Sequence, residues 1–347
     1  MLAVTALLAT ALLSASAFGE VEQTAPPCSQ GEILFSGRDF VAAQDALWNC
    51  LLGGNATQDQ GLHLAWTYRE LKNYPQGFTR VSEALKTRPL DENLIYLAAF
   101  IRFRQGQLEE SVGFLNRAYK LQPNDWRIHQ LYALNFVEVG WAGAVEQELE
   151  RAIRLKPDMP ELYYQLARYY YTMSKFEDAI AASQKALELA PDYASVYDNL
   201  GLSYAGLSDA TRATDNFCKA IEINARRHSK DEWPLIDYGA FLEDQDLNKA
   251  AAILRDALQM NPASATANYE LGRTMRRLGR DAEAESYLAT AIKLDPSYTN
   301  AYWILSTLTR KRGDRALAAT YLDEFQRLKE KDKKDGVSET VLSLQHR

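Results

Sequence analysis

The sequence predicts an all-α fold, a right-handed α-solenoid of about nine helix-turn-helix repeats, and three observations predict it. Small residues recur every 34 positions at Gly31, Ala65, Ala99, Ala133, Ala167 and Gly201, and the series continues through Gly239, Gly272 and Ser306. A second register of mostly small residues runs from Ala43 to Ala318, and a third from Cys50 to Ala291. Proline closes most of the units, at Pro89, Pro123, Pro157, Pro191, Pro262 and Pro296.

The stretch from Pro160 to Pro191 shows the unit most plainly. Leu166, Ala167 and Tyr170 share one face of a first helical segment; Phe176, Ala179 and Ala186 share one face of a second, and Pro191 ends it. Where two helix axes approach to about 8 Å, long side chains do not fit at the crossing, so a small residue is needed on both partners. Larger neighbours such as Tyr68, Tyr170, Tyr204 and Phe217 fill the space between successive helices. Proline lacks the N–H that a continuing helix needs and so separates one hairpin from the next. No hairpin buries its apolar face alone, and stacking makes the core continuous. This pattern, a Leu-small-x-x-aromatic block with small residues at fixed later positions and a closing proline, resembles the tetratricopeptide repeat. The resemblance covers residues 24–330 and suggests an exported, bacterial-type member.

In chain order, Leu2 to Leu13 are apolar apart from threonines, and Ala15-Ser16-Ala17 offers a small-residue cleavage site. Residues 1–18 are therefore expected to be a secretory signal peptide, although no Lys or Arg precedes Arg38. No membrane span is expected after its removal; uncleaved, it would tether the chain to a membrane. Residues 19–330 are expected to form one superhelix, with repeats at 24–57, 58–91, 92–125, 126–159, 160–193, 194–230, 231–264, 265–298 and 299–330. Val145 is large for its register, and Gly140, Gly143 and Ala144 beside it predict a local shift of one residue. Phase breaks once, because Gly201 to Gly272 spans 71 residues; the extra residues are placed in the polar, basic connector from Asn224 to Pro234. Residues 331–347 continue the charged run that begins at Lys329 and are expected to be a mobile tail.

Composition and motifs point to binding rather than chemistry. Asp and Glu number 46 against 39 Lys and Arg, a net charge of −7 that argues against non-specific nucleic-acid binding. The four histidines fall at His63, His129, His228 and His346 with no metal-ligand spacing, and no Cys-x-x-Cys occurs, so neither a metal nor another cofactor is expected. Gly201-Leu202-Ser203-Tyr204-Ala205-Gly206 has Ala205 where a nucleophile elbow needs its second glycine. Glu243, Asp244 and Asp246 occupy an interhelix turn without calcium-loop spacing and are expected to be solvated there. Asn55-Ala56-Thr57 is a formal glycosylation acceptor. Cys28 and Cys50, at the start of one predicted helix and the end of the next, either bridge and tie down the terminal repeat or fill two small packing positions. Cys218 is expected to be a buried thiol.

The resemblance implies that the first helices line a concave groove and that positions two, five, nine, twelve and thirteen of each repeat face it. Carried onto this chain, they place Tyr96, Phe100, Phe103, Arg104, Tyr164, Arg168 and Tyr171 in a middle patch. Tyr269, Arg273, Arg276, Arg277, Trp303, Arg310 and Lys311 form a second patch toward the C-terminus. Guanidinium forks take carboxylates bidentately, and Tyr269 and Trp303 offer apolar ledges, so an extended acidic peptide or a free C-terminus is expected there. The competing expectation is a solvated face paired with Asp281, Glu283 and Glu285, and for the tyrosines a place in the inter-repeat core. Asp198 and Leu202 stand where the chaperone-tail clamp of some family members has Lys and Asn, so that specificity is not carried over. The expected protein is a non-catalytic scaffold for a protein or extended peptide, periplasmic or secreted, in envelope assembly or export. The alternative is a non-catalytic subunit of a glycosyltransferase or polysaccharide-export system.

Overall fold

A computed structural model describes residues 27–54 and 56–334. The expected signal peptide, the acceptor Asn55 and residues 335–347 of the expected tail lie outside the described residues. Among those described, 18 helices follow one another without a strand. The first four are α1 (Pro27–Ser36), α2 (Phe40–Leu52), α3 (Gln58–Leu71) and α4 (Tyr74–Thr87). Then come α5 (Glu92–Arg104), α6 (Leu108–Leu121), α7 (Trp126–Glu138), α8 (Ala142–Leu155), α9 (Pro160–Thr172), α10 (Phe176–Leu189) and α11 (Ala194–Gly206). The last seven are α12 (Ala210–Arg226), α13 (Trp233–Leu242), α14 (Leu247–Met260), α15 (Ala265–Arg277), α16 (Asp281–Leu294), α17 (Thr299–Arg312) and α18 (Arg315–Lys334). The fold is an all-α helical-repeat solenoid.

The helices fall into two compact units divided after Asn73, with α1–α3 in the first and α4–α18 in the second. The division falls inside the second repeat, at a turn where Lys72 is left-handed (φ 52°).

In the first unit, α1 and α2 cross at Gly31, where a Cβ would come within 2.7 Å of Leu47. Cys28 and Cys50 are joined as a disulfide across this hairpin, with Cα atoms 4.7 Å apart. Thr57 and Gln60 form a reciprocal capping box at the start of α3. His63 Nδ1 lies 2.8 Å from the Glu32 carboxylate, and its ring stacks on Phe35.

In the second unit the crossing rule is visible atom by atom. A Cβ on Gly201, Gly239 or Gly272 would meet Phe217, Leu254 or Leu288 at 2.6–2.7 Å, and each of these large residues lies four positions beyond the small residue of the second helix. Ala213, Ala250 and Ala284 are fully buried opposite them. Val145 is also buried, within the same cluster as Ala133 and Leu149, and stands 34 residues from both Ser111 and Ala179. The expected one-residue shift is thus absent, because the crossing there accepts the two extra methyl groups against Ala133. The turn between the two helices of a repeat needs one left-handed residue, and that position is Gly106, Gly140, Ser174, Ser208, Gly279 or Gly313.

The seventh repeat breaks this pattern twice. Gly239 to Ala250 spans 11 residues where the other repeats have 12, and its turn contains no left-handed residue. The connector before it is four residues longer than its counterparts, so the net excess of three conceals both changes. There α12 runs to Arg226, a length of 17 residues. At the other end, α18 continues through Lys334, beyond the expected end of structure at 330. Its Lys and Glu residues are good helix formers and carry the helix on without a proline or glycine to stop it. Cys218 is exposed, contrary to expectation; the residue that points inward there is its neighbour Phe217.

Ala213→Leu puts three more carbons into the crossing below Gly201. It is expected to cost about 1 to 3 kcal/mol, read as a lower urea midpoint; an unchanged midpoint would contradict the register.

Candidate functional site

The shortened turn of the seventh repeat shapes the C-terminal patch. Glu243, directly after α13, is only 4% exposed and turns toward α15. Its carboxylate accepts from Arg273 Nη2 at 2.9 Å, Thr274 Oγ1 at 2.6 Å and Arg277 Nη1 at 3.3 Å. Arg273 also pairs with Glu270 at 3.0 Å and Arg277 with Asp244 at 2.8 Å. Burial opposes the charge on Arg273, but Glu270 and Glu243 outweigh it and hold the guanidinium pKa above its ordinary value. Two of the four arginines in the patch are therefore already satisfied by the chain's own carboxylates.

The remaining cations divide in the same way. Lys311 pairs with Asp281, and its neighbour Arg312 with Glu285 at 2.5 Å, so the solvated-face expectation describes these two. Arg276 is half-buried, and its Nε, shielded from solvent, has no acceptor among the described residues. Arg310 is exposed and pairs with no carboxylate among the described residues. These two arginines occupy the same register, each four positions after the small residue of its helix, on the successive first helices α15 and α17. Trp303, on α17, is 45% exposed and supplies an apolar ledge. Tyr269 does not: it is 8% exposed, lies in the core, and its ring centre sits 4.7 Å from that of Tyr298.

The middle patch is mostly structural. Tyr96 and Phe100 are buried rather than presented, and burial pushes the Tyr96 hydroxyl pKa above its ordinary value. Phe103 is half-buried, while exposed Arg104 donates through Nε to the Tyr74 hydroxyl at 3.2 Å. Tyr164 packs at 5.2 Å on Tyr193, the last residue of its own repeat, and Tyr171 lies 6.0 Å from Phe176. The Arg168 guanidinium stands 5.8 Å from the Tyr164 ring and has no carboxylate partner among the described residues.

Two features escaped the sequence reading. Arg127, at a groove position by register, is 1% exposed and held bidentately by Asp125, with Nη2 to Oδ2 at 2.5 Å and Nε to Oδ1 at 3.0 Å. Its Nη1 donates to Asn93 Oδ1 at 2.8 Å, and its face covers Tyr96 at 4.6 Å. Asp125 also caps α7, so an Asp-x-Arg at a repeat boundary was the available signal. The other feature is Glu243, whose signal was the missing turn residue. His129 is likewise engaged, between the Glu148 carboxylate at 2.6 Å and the Pro123 carbonyl at 3.1 Å. No helix among the described residues is long and apolar enough to cross a membrane.

Paired helices closed around small residues, with basic and aromatic side chains repeated on the first helices, define a helical-repeat protein of the binding class. Family models for the tetratricopeptide repeat match residues 160–193, 194–227 and 241–308. The chain is a tetratricopeptide repeat protein. It is similar to Superkiller protein 3 of Schizosaccharomyces pombe, 25% identical over half of this chain and 15% of that protein. Human protein O-mannosyl-transferase TMTC3 is 26% identical, over 62% of this chain and 22% of that protein. The chain thus spans less than a quarter of the length of either relative. Among solved structures, the Cut9–Hcn1 hetero-tetramer of the APC/C superposes with a TM-score of 0.60 at 16% identity, covering 88% of this chain and 58% of that one. A tetratricopeptide repeat protein from Parabacteroides merdae superposes at 0.59 and 14% identity, covering 73% and 98%. At these identities the structures speak for the fold alone.

Glu243→Ala leaves Arg273 and Thr274 without their shared acceptor. The expected loss is about 2 to 3 kcal/mol, below the cost of breaking a fully buried pair because the arginines reach solvent. Urea unfolding measures it, and parent-like stability would show that the network contributes nothing.

Proposed function

We propose that this protein is a non-catalytic scaffold that holds an extended, carboxylate-bearing peptide segment of a partner protein on the first helices of its C-terminal repeats. The observation that carries this reading is Arg276, whose shielded Nε lacks an acceptor among the described residues, with Arg310 in the same register one repeat on and Trp303 between them in sequence. A guanidinium held half-buried without a carboxylate is costly to leave unmatched and binds one readily. Residues Arg273 and Arg277 belong to the supporting layer rather than the contact surface, because Glu243 occupies them.

The working location is the periplasm or the exterior, in envelope assembly or export. The Cys28–Cys50 disulfide supports an oxidising compartment, and the apolar, small-residue segment at 1–18 supports export. A second reading, a non-catalytic subunit of a glycosyltransferase or polysaccharide-export system, is favoured by the similarity to a relative named as a protein O-mannosyl-transferase.

Affinity capture from the native envelope or secreted fraction tests the site. The parent is compared with an Arg276→Glu, Arg310→Glu variant and with Trp303→Ala, each with helical content verified. The expected outcome is a partner held by the parent, lost from the charge-reversed variant and weakened by the loss of the ring. The same partner held equally by all three would move binding away from these helices, and capture of a glycosyltransferase would favour the second reading.

A further inference from the structure

The connector between α12 and α13 carries both signs of charge in sequence, Arg226-Arg227-His228-Ser229-Lys230-Asp231-Glu232, but the fold sorts them. The carboxylates turn inward. Asp231 is half-buried and its Oδ1 accepts from the Trp233 N–H at 3.2 Å, while Glu232 accepts from the Asn261 side chain at 2.7 Å. The cations turn outward: Arg226 and Arg227 are 52% and 59% exposed, and His228 and Lys230 are exposed as well. One aspartate, Asp192, stands near them, 2.9 Å from Arg226 and at the 4.0 Å limit from Arg227. Lys230 has no ion pair among the described residues.

The loop that displays these cations is also pinned. Buried Asn224 donates to the Asp231 carbonyl at 3.1 Å and accepts through its own carbonyl from the Ser229 N–H at 2.9 Å. Asp231 N–H donates to Ser229 Oγ at 3.2 Å, and His228 takes a left-handed conformation (φ 50°) that sets the bend. An insertion that was merely tolerated would need no such frame. The corresponding turns of the second unit carry at most one Lys or Arg each, and the two that do, at Arg88 and Lys156, pair it with an aspartate of the same turn, Asp91 or Asp158. Cations at the end of a helix also complement its dipole, which accounts for Arg226 but not for Lys230, beyond the last turn.

We propose that this connector is a second docking site, one that receives an acidic segment of a partner protein. A net charge of −7 disfavours extended polyanions such as nucleic acid or an anionic bilayer, whose many charges meet the whole protein. A short acidic segment meets only the local excess of cations, because charges beyond a Debye length of about 8 Å are screened.

The test uses the full chain with Arg276→Glu and Arg310→Glu already in place, so that the first-helix arginines do not contribute. A fluorescent oligoglutamate peptide is titrated at low salt and followed by anisotropy, before and after adding Arg226→Gln, Arg227→Gln and Lys230→Gln. A further variant, Lys230→Glu alone, lies outside the helix and leaves its end intact. The expected result is binding that survives the groove changes, weakens by about tenfold or more with the triple change, weakens detectably with Lys230→Glu, and falls with added salt. Melting curves superimposable on the parent show that the loop has kept its frame; if the triple variant unfolds, Lys230→Glu decides. Peptide binding that is absent, or indifferent to the connector changes, overturns the proposal. Connector-dependent binding of phosphatidylserine vesicles or duplex DNA without peptide binding overturns it equally, in favour of another class of partner.

Discussion

The close approach of two helices at each crossing is the constraint on which the rest of this structure depends. Below about 8 to 10 Å between axes there is room for a glycine, an alanine or a serine and little else. At Gly201 the ring of Phe217 already fills the place a Cβ would take. Because that condition recurs in every repeat, side chains elsewhere on the helices inherit a fixed register. The same constraint that buries Gly272 sets Arg276 four residues on, and the one that buries Ser306 sets Arg310. A binding surface built this way is periodic before it is specific.

Specificity enters where the period fails. In the seventh repeat a turn residue is missing, and Glu243 folds inward against α15 instead of reaching solvent. It draws Arg273, Thr274 and Arg277 into one network. A patch that reads as a run of arginines is thereby divided into groups satisfied within the chain and groups left over. The four residues added before α13 act on the opposite side of the same repeat, holding carboxylates inward and cations outward. Two departures from one rule, three residues in net length, account for both charged features of this region.

The fold was legible in the sequence because its cause is local and repeated. Gly31, Ala213 and Ala284 announce their crossings without reference to distant residues, and the helices follow from them. The site was legible only in outline. Register places Tyr96, Tyr269 and Arg127 on the groove side, yet all three are buried, because a register states a direction and not what lies along it. Whether Arg273 is free depends on Glu243, 30 residues away, and no pattern of spacing reports a partner at that distance. The small size expected at Val145 failed for a related reason: the tolerance of a crossing depends on both faces, here Val145 and Ala133 together.

The division between occupied and available arginines is the central claim, and side-chain NMR of the arginine Nε–H groups tests it most directly. Oligoglutamate peptide is titrated into the full chain with the α12–α13 connector neutralised by glutamine. Resonances of Arg276 and Arg310 are expected to move with the peptide, while that of Arg273 stays fixed and slow to exchange against Glu243. Movement of Arg273 with Arg276 unchanged would mean that an external carboxylate displaces Glu243, and the division drawn from the structure would be wrong.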